Sequence, residues 1–203
     1  MIESQERFSR DRFNQAIALF DVANAEDPNL DDGQPKELLY AQRMSDMIAR
    51  FAPDASEAAQ LAVRAQHIQR WKVPRTTYPM TKEGYHAWRT GLYTFQADTA
   101  GELMRQAGYD EAMIERVKKA VGKRGIKSNP ETQMLEDIAG LVFIEHYMLA
   151  FALSKPDYDE EKWLEIIRKT WKKMSKGAQA CALSGKLKLP ESLVPLITKA
   201  ISQ

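Results

Sequence analysis

Apolar positions along the chain recur at helical spacing, not at the two-residue spacing of a strand. Phe8, Phe13, Ala16, Ile17 and Phe20 share one face and predict a helix over residues 4–24. Leu38, Leu39, Met44, Met47, Ile48 and Phe51 predict a second over 36–52. A third runs from a Ser56 cap to about Trp71, with Ala59, Leu61, Ala62, Ala65 and Ile68 apolar. AEDPNLDDGQP (25–35), rich in proline and acids, reads as a loop. Pro74 and Pro79 make WKVPRTTYPM irregular, since each lacks a backbone donor and constrains the residue before it. A fourth helix starts near a Thr81 cap and reaches Ala107, and a short one covers 110–121. After the basic, glycine-bearing loop 122–130, Leu135, Ile138, Leu141, Val142, Ile144 and Met148 predict one long helix over 131–153. Helices over 160–174, 176–184 and 191–201 follow, the last shaped by Pro190 and Pro195. No run of β-branched residues alternates with polar ones. The pattern predicts an all-α chain, a single compact helical domain of about eight or nine helices. Its core spans about 4–153, with a helical extension over about 158–203.

Composition narrows the chemistry. At 203 residues, 44% of them hydrophobic, the chain is long enough to bury a substantial core. Twenty-nine Lys and Arg against 28 Asp and Glu leave a net charge of +1, so no global basic excess supports a long nucleic-acid footprint. The single cysteine, Cys181, excludes an intramolecular disulfide and a CxxC metal site, which fits a reducing, cytoplasmic setting. The N-terminal segment is charged throughout, unlike a signal peptide, and no uncharged apolar run is long enough for a membrane span. Phosphate-loop, dinucleotide, nucleophile-elbow and HExxH motifs are absent.

Four polar constellations remain. Gln66, His67 and Arg70 close the third helix; His67 and Arg70, three apart, suit an anion or a metal, and equally suit the helix C-terminal dipole. His86, Arg89, Tyr93 and Gln96, at offsets of 0, 3, 7 and 10, form one stripe on the fourth helix, bordered by Tyr85, Trp88, Leu92 and Phe95. That stripe reads as a pocket wall or a solvated face. Glu136 and Asp137 precede a strongly apolar run, with Glu145 and His146 downstream, and a buried acid must be paired, protonated or metal-bound. Gly140 shares the Asp137 face and allows a close approach. Lys118, Lys119, Lys123, Arg124 and Lys127 form a basic loop, and Arg168-Lys169-Thr170-Trp171-Lys172-Lys173 a cationic helix; both read as phosphate or RNA contacts or as solvated surface.

The segments Gln66-His67-Ile68-Gln69-Arg70-Trp71, Pro74-Arg75, Tyr78-Pro79, Tyr85-His86-Ala87-Trp88-Arg89, Leu135-Glu136-Asp137 and Phe143-Ile144-Glu145-His146-Tyr147 together resemble the DUF4202 family, over most of the chain. Arg168 to Ser175 resembles it too. A more distant resemblance is to the HD-domain metal phosphohydrolases. In that resemblance Glu37 stands where the first histidine ligand would be, and Gln66-His67 replace the His-Asp doublet. His86 falls where an additional histidine is found, and Asp137 resembles the final aspartate ligand.

The HD resemblance implies a divalent metal ion held by Glu37, His67, His86 and Asp137, with Glu136 assisting. A metal-bound water would then attack a phosphorylated small molecule or nucleotide. His67, Glu136 and Asp137 would be catalytic, and Gln66, Arg70, Arg75, Tyr78, Arg89, Lys123 and Arg124 would hold the substrate. Two other readings stay open: the same Arg/His pocket binds a small anionic ligand, nucleotide or RNA without turnover, or the cluster is a buried network that fixes helix packing.

Overall fold

Side-chain caps set most of the helix starts. In the computed structural model, which describes residues 2–189 and 191–201 with side chains from Arg10 onward, Ser56, Thr81, Asp110, Asn129, Asp159 and Ser175 each accept a hydrogen bond from the backbone N–H three residues on. Pro190 and the side chain of Phe8 lie outside the described residues. The helices are α1 (Ile2–Ala25), α2 (Lys36–Phe51), α3 (Glu57–Ala65), α4 (Lys82–Gln106), α5 (Glu111–Val121), α6 (Pro130–Val142), α7 (Met148–Leu153), α8 (Glu160–Lys173), α9 (Lys176–Leu183) and α10 (Val194–Ile201). The mostly helical reading therefore holds. No described helix is long and apolar enough to cross a membrane.

Three local departures from the sequence reading shape the site. The loop before α2 contains a two-stranded antiparallel ladder, β1 (Leu30–Asp31) and β2 (Gln34–Pro35). Its turn places Asp32 and Gly33 at φ of 50° and 74°, the left-handed pair of a tight hairpin. Helix α3 stops at Ala65 rather than near Trp71. Gln69 adopts φ 48°, its N–H is held by Asn24 Oδ1 at 2.9 Å, and Arg70–Lys72 form a single 3-10 turn. The long helix expected over 131–153 is interrupted by a π-helical segment, Phe143–Tyr147, which raises the count from the expected eight or nine helices to ten among the described residues.

Helices α2, α3, α5 and α6 pack around Met44, Met47, Leu61, Ile114, Val117, Leu135, Ile138 and Leu141. The same apolar cluster continues into Leu164 and Ile167 of α8, Ala178 of α9 and Ile197 of α10. Helix α4 lies along α5, with Ala100 and Met104 buried. The polar half of α4 is thereby turned toward the irregular turn after α3.

Candidate functional site

The early end of α3 frees Gln66, His67 and Arg70 to line one wall of a cavity of ≈ 430 Å³. Arg89, Tyr93 and Gln96 of α4 form the opposite wall, at the 3-and-4 spacing of one helix face. Lys123, from the loop after α5, adds a fourth basic group. Its φ of 57° turns the chain and directs the ammonium inward. Phe143 of the π segment and Phe151 of α7 supply the apolar side, their rings in edge contact at 6.1 Å. No carboxylate among the described residues lines this cavity.

The acids stand behind it. Glu37, buried at the start of α2, places Oε2 3.2 Å from His67 Nδ1. The Tyr40 ring stacks on the imidazole at 4.2 Å and 15°. The Tyr40 hydroxyl donates to Gln66 Oε1 at 2.9 Å, so that the oxygen of this amide is engaged and its nitrogen is the donor end. Arg70 Nη1 lies 3.3 Å from His67 Nε2, and its guanidinium covers the Trp88 ring at 5.0 Å. Trp88 is in turn fixed by its indole N–H to the Val73 carbonyl, 2.9 Å. Burial pushes the His67 imidazole below its ordinary value; Glu37 opposes that and does not reverse it. Burial likewise lowers Arg70, and raises the Tyr40 phenol with Glu37 adding to the rise.

Lys123 and Glu136 form an ion pair with 10% and 9% of their side chains exposed. Burial draws the Lys123 ammonium down despite Glu136. Burial opposes the charge on Glu136, yet Lys123, with Lys173 and Arg89 beyond it, keeps that carboxyl below the usual range. Arg89 donates to the Tyr93 and Tyr85 hydroxyls. Burial works against its charge, and the two phenols together outweigh it and raise the guanidinium. Gln96 is 2% exposed, and its amide nitrogen finds no partner among the described residues. A buried amide donor without an acceptor is costly, and this one borders the cavity.

Of the residues singled out from the sequence, Gln66, His67, Arg70, Arg89, Tyr93, Gln96 and Lys123 converge on the cavity, with Glu37 the partner of His67 and Glu136 that of Lys123. The others are elsewhere. His86 is exposed at the outer end of its stripe, its ring against Tyr85. Asp137 is buried and accepts from the Ser175 N–H (2.6 Å), the Ser175 hydroxyl (2.5 Å) and the Gln133 amide (2.8 Å). Arg75 donates to the carbonyls of Tyr78, Pro79 and Thr81, bracing the proline loop. The Tyr78 ring lies over Gly91, where a Cβ would meet its hydroxyl at 2.6 Å. Arg124 is exposed and borders a separate small cavity of ≈ 80 Å³.

The expected metal set is therefore not assembled: no three His, Cys, Asp or Glu side chains converge as ligands among the described residues. Glu37, His67, His86 and Asp137 do not fit a common ion, because one is on the surface and another is bonded to the α8–α9 junction. Tyr40, Phe143 and Phe151 were missed as site residues. Tyr40 follows Glu37 by three on the same helix face, a signal in the sequence that points to it. For the two phenylalanines the sequence shows only apolar helix, because the π segment that orients them leaves no mark in residue type.

An apolar cavity of ≈ 300 Å³ between α1, α2 and α3 gathers no comparable set among the described residues: Arg64, the charged member of its lining, is paired with Asp21. Comparison with curated proteins and with solved structures gives no match. The family model described as "Domain of unknown function (DUF4202)" matches residues 14–197, so the chain belongs to the DUF4202 family.

Proposed function

We propose that the cavity between α3, α4 and the π segment binds a small organic anion, carrying a phosphate or carboxylate at one end and an apolar or flat part at the other. The observation that carries this reading is the lining itself. Among the described residues three cations, a histidine and two amides face the space and no acid does, so an occupant rich in acceptors matches it. The unpartnered Gln96 nitrogen adds a buried donor that a ligand oxygen satisfies. Phe143 and Phe151 give the remainder of the ligand an apolar bed. A metal-dependent hydrolase would need a ligand set that Glu37, His67, His86 and Asp137 do not form among the described residues.

The RNA reading has weaker support. Lys123 is turned inward to Glu136, Lys118 is paired with Asp98 and Glu115, and Lys169 with Glu165. Part of the charge of both the basic loop and the cationic helix is therefore engaged in ion pairs within the chain.

Isothermal titration with orthophosphate, AMP, phenyl phosphate and citrate tests the proposal. At least one is expected to bind with an affinity that falls as salt rises. Arg70→Ala or Arg89→Ala should each weaken it roughly tenfold or more, as loss of a charge-assisted hydrogen bond of about 1.5–3 kcal/mol implies. Absence of binding by all four at millimolar concentration, or binding indifferent to both substitutions, would overturn it.

A further inference from the structure

On the footing of the anion-binding reading, we infer that His67 is the general base of this cavity: its Nε2 takes a proton from a water molecule held beside the bound anion and drives hydrolysis of an ester linkage in it. The tautomer follows from the partners. A guanidinium has only N–H donors, so Nε2, 3.3 Å from Arg70 Nη1, is the accepting nitrogen. The ring proton is then on Nδ1, directed at Glu37 Oε2, 3.2 Å away. The stacked Tyr40 ring fixes the imidazole plane, and the Tyr40 hydroxyl is held by Gln66, so neither ring swings freely. Glu37 thus positions His67, and His67 lines the cavity that takes the ligand.

The groups facing the imidazole keep it in its basic form. Glu37 and Tyr40 approach from α2, Arg70 from the turn after α3, and Lys123 from the loop after α5; Arg89 lies across the cavity on α4. Two cations act directly on the ring against one acid, and burial adds to them. An anion entering the cavity draws Arg70 onto itself, which releases the Nε2 lone pair toward the ligand.

In the step itself, an O–H bond of water breaks and an Nε2–H bond forms. The electron pair stays on the oxygen, which bonds to the ester carbon or phosphorus. The bond from that centre to the leaving oxygen breaks, and the leaving oxygen takes the proton back from Nε2. Water is consumed, the imidazole is regenerated neutral, and Glu37 stabilises the transient imidazolium through Nδ1–H. Arg70, Arg89 and Lys123 face the charge that develops on the attacked group.

Carbethoxylation of the full chain by diethylpyrocarbonate, followed site by site by mass spectrometry between pH 5 and 8, tests this, with exposed His86 as the accessibility reference. His67 is expected to react, with a midpoint below the ordinary 6.5. In Glu37→Gln that midpoint should move lower still, because the carboxylate that supports the protonated ring is gone. Orthophosphate at about ten times its dissociation constant should slow the His67 reaction roughly tenfold. Turnover of 4-nitrophenyl phosphate or 4-nitrophenyl succinate should follow the same midpoint and drop about 10²-fold or more in His67→Gln. An inert His67 beside a reactive His86, a midpoint at or above 6.5, or ester turnover no faster than in His67→Gln for both probes overturns the inference. The wild-type profile stands without any variant, so failure of Glu37→Gln to fold leaves the test intact. A reactive His67 that no anion protects sinks the anion-binding reading and spares the base; calorimetric binding with an inert His67 does the reverse.

Discussion

Lys123 and Glu136 face each other with about a tenth of either side chain in contact with water, so each depends on the other to remain charged. Removing one leaves a buried, unpaired charge, which costs about 3–5 kcal/mol. Glu136→Gln and Lys123→Met are each expected to lose stability of that order in urea unfolding, whereas changing both to apolar residues should recover much of the loss. The pair also sets an acid limit. Lys123 holds the Glu136 carboxyl below its reference value of 4.5 against the effect of burial. A depressed folded pKa contributes stability that is complete above the unfolded value and lost as pH falls through the folded one. Thermal stability should therefore decline below about pH 4.5, and less steeply in Glu136→Gln, when melting is followed from pH 7 to pH 3. His86 gives the contrasting case. Exposed, with its ring against the neighbouring Tyr85, it should tolerate His86→Ala within about 0.5 kcal/mol and with unchanged anion affinity. These two outcomes show what residue spacing conveys. The offsets from His86 to Gln96 mark a shared face, and three of its four members do reach the cavity. Which end of the face points inward is decided by the turn after α3, which the spacing does not encode.

At the level of elements, capping was legible and interruption was not. Ser56 and Thr81 were read correctly as caps because a short polar side chain ahead of an apolar period has one local use. The end of α3 was misplaced because nothing in Gln66 to Trp71 forbids a helix. A distant residue, Asn24, captures the Gln69 N–H and stabilises the left-handed turn. The acids of α6 are buried, and their partners, Lys123 for Glu136 and Ser175 for Asp137, come from elements that spacing within the helix does not reveal. Asp137 ties α6 to the start of α9 through Ser175, so Asp137→Ala should cost about 1–3 kcal/mol for the polar groups it strands. Hydrogen exchange should then accelerate first in α9, and a uniform loss across α2 to α6 would argue against this role. Gly140, expected to admit a close approach, does so: Met174 Cγ and Sδ lie 2.9 Å from where its Cβ would be. Gly84 is stricter, because a Cβ there would overlap the backbone carbonyl oxygen of Pro79, which cannot rotate away. Gly84→Ala should destabilise by about 1–3 kcal/mol, measured by urea titration, and loosen the Arg75-braced loop with it.

For the molecule as a whole, the sequence suggested a core ending near residue 153 with an extension beyond it, and the packing joins the two. Leu164, Ile167, Met174, Ala178 and Ile197 belong to the same apolar cluster as Leu135, Leu141 and Met148. Each large apolar side chain withdrawn from that cluster removes about 1.5–3 kcal/mol, while a domain's whole stability is about 5–15 kcal/mol. Cutting the chain after Lys155 strips away α8 to α10 together and should leave a fragment with helical circular dichroism but no cooperative transition in urea. The consequence reaches the cavity, because Trp163 of α8 holds Phe151 in an edge contact at 5.4 Å, and Phe151 forms part of the apolar side. Lys173, at the end of α8, also adds to the field that keeps Glu136 charged beside Lys123. The fragment should consequently lose anion affinity even if its seven helices stay associated. A 1–155 fragment that unfolds cooperatively and binds orthophosphate like the full chain would make the tail an appendage. The continuous cluster across α6, α8, α9 and α10 argues for the opposite outcome, in which the residues farthest along the chain are needed to shape a site built almost entirely from its middle.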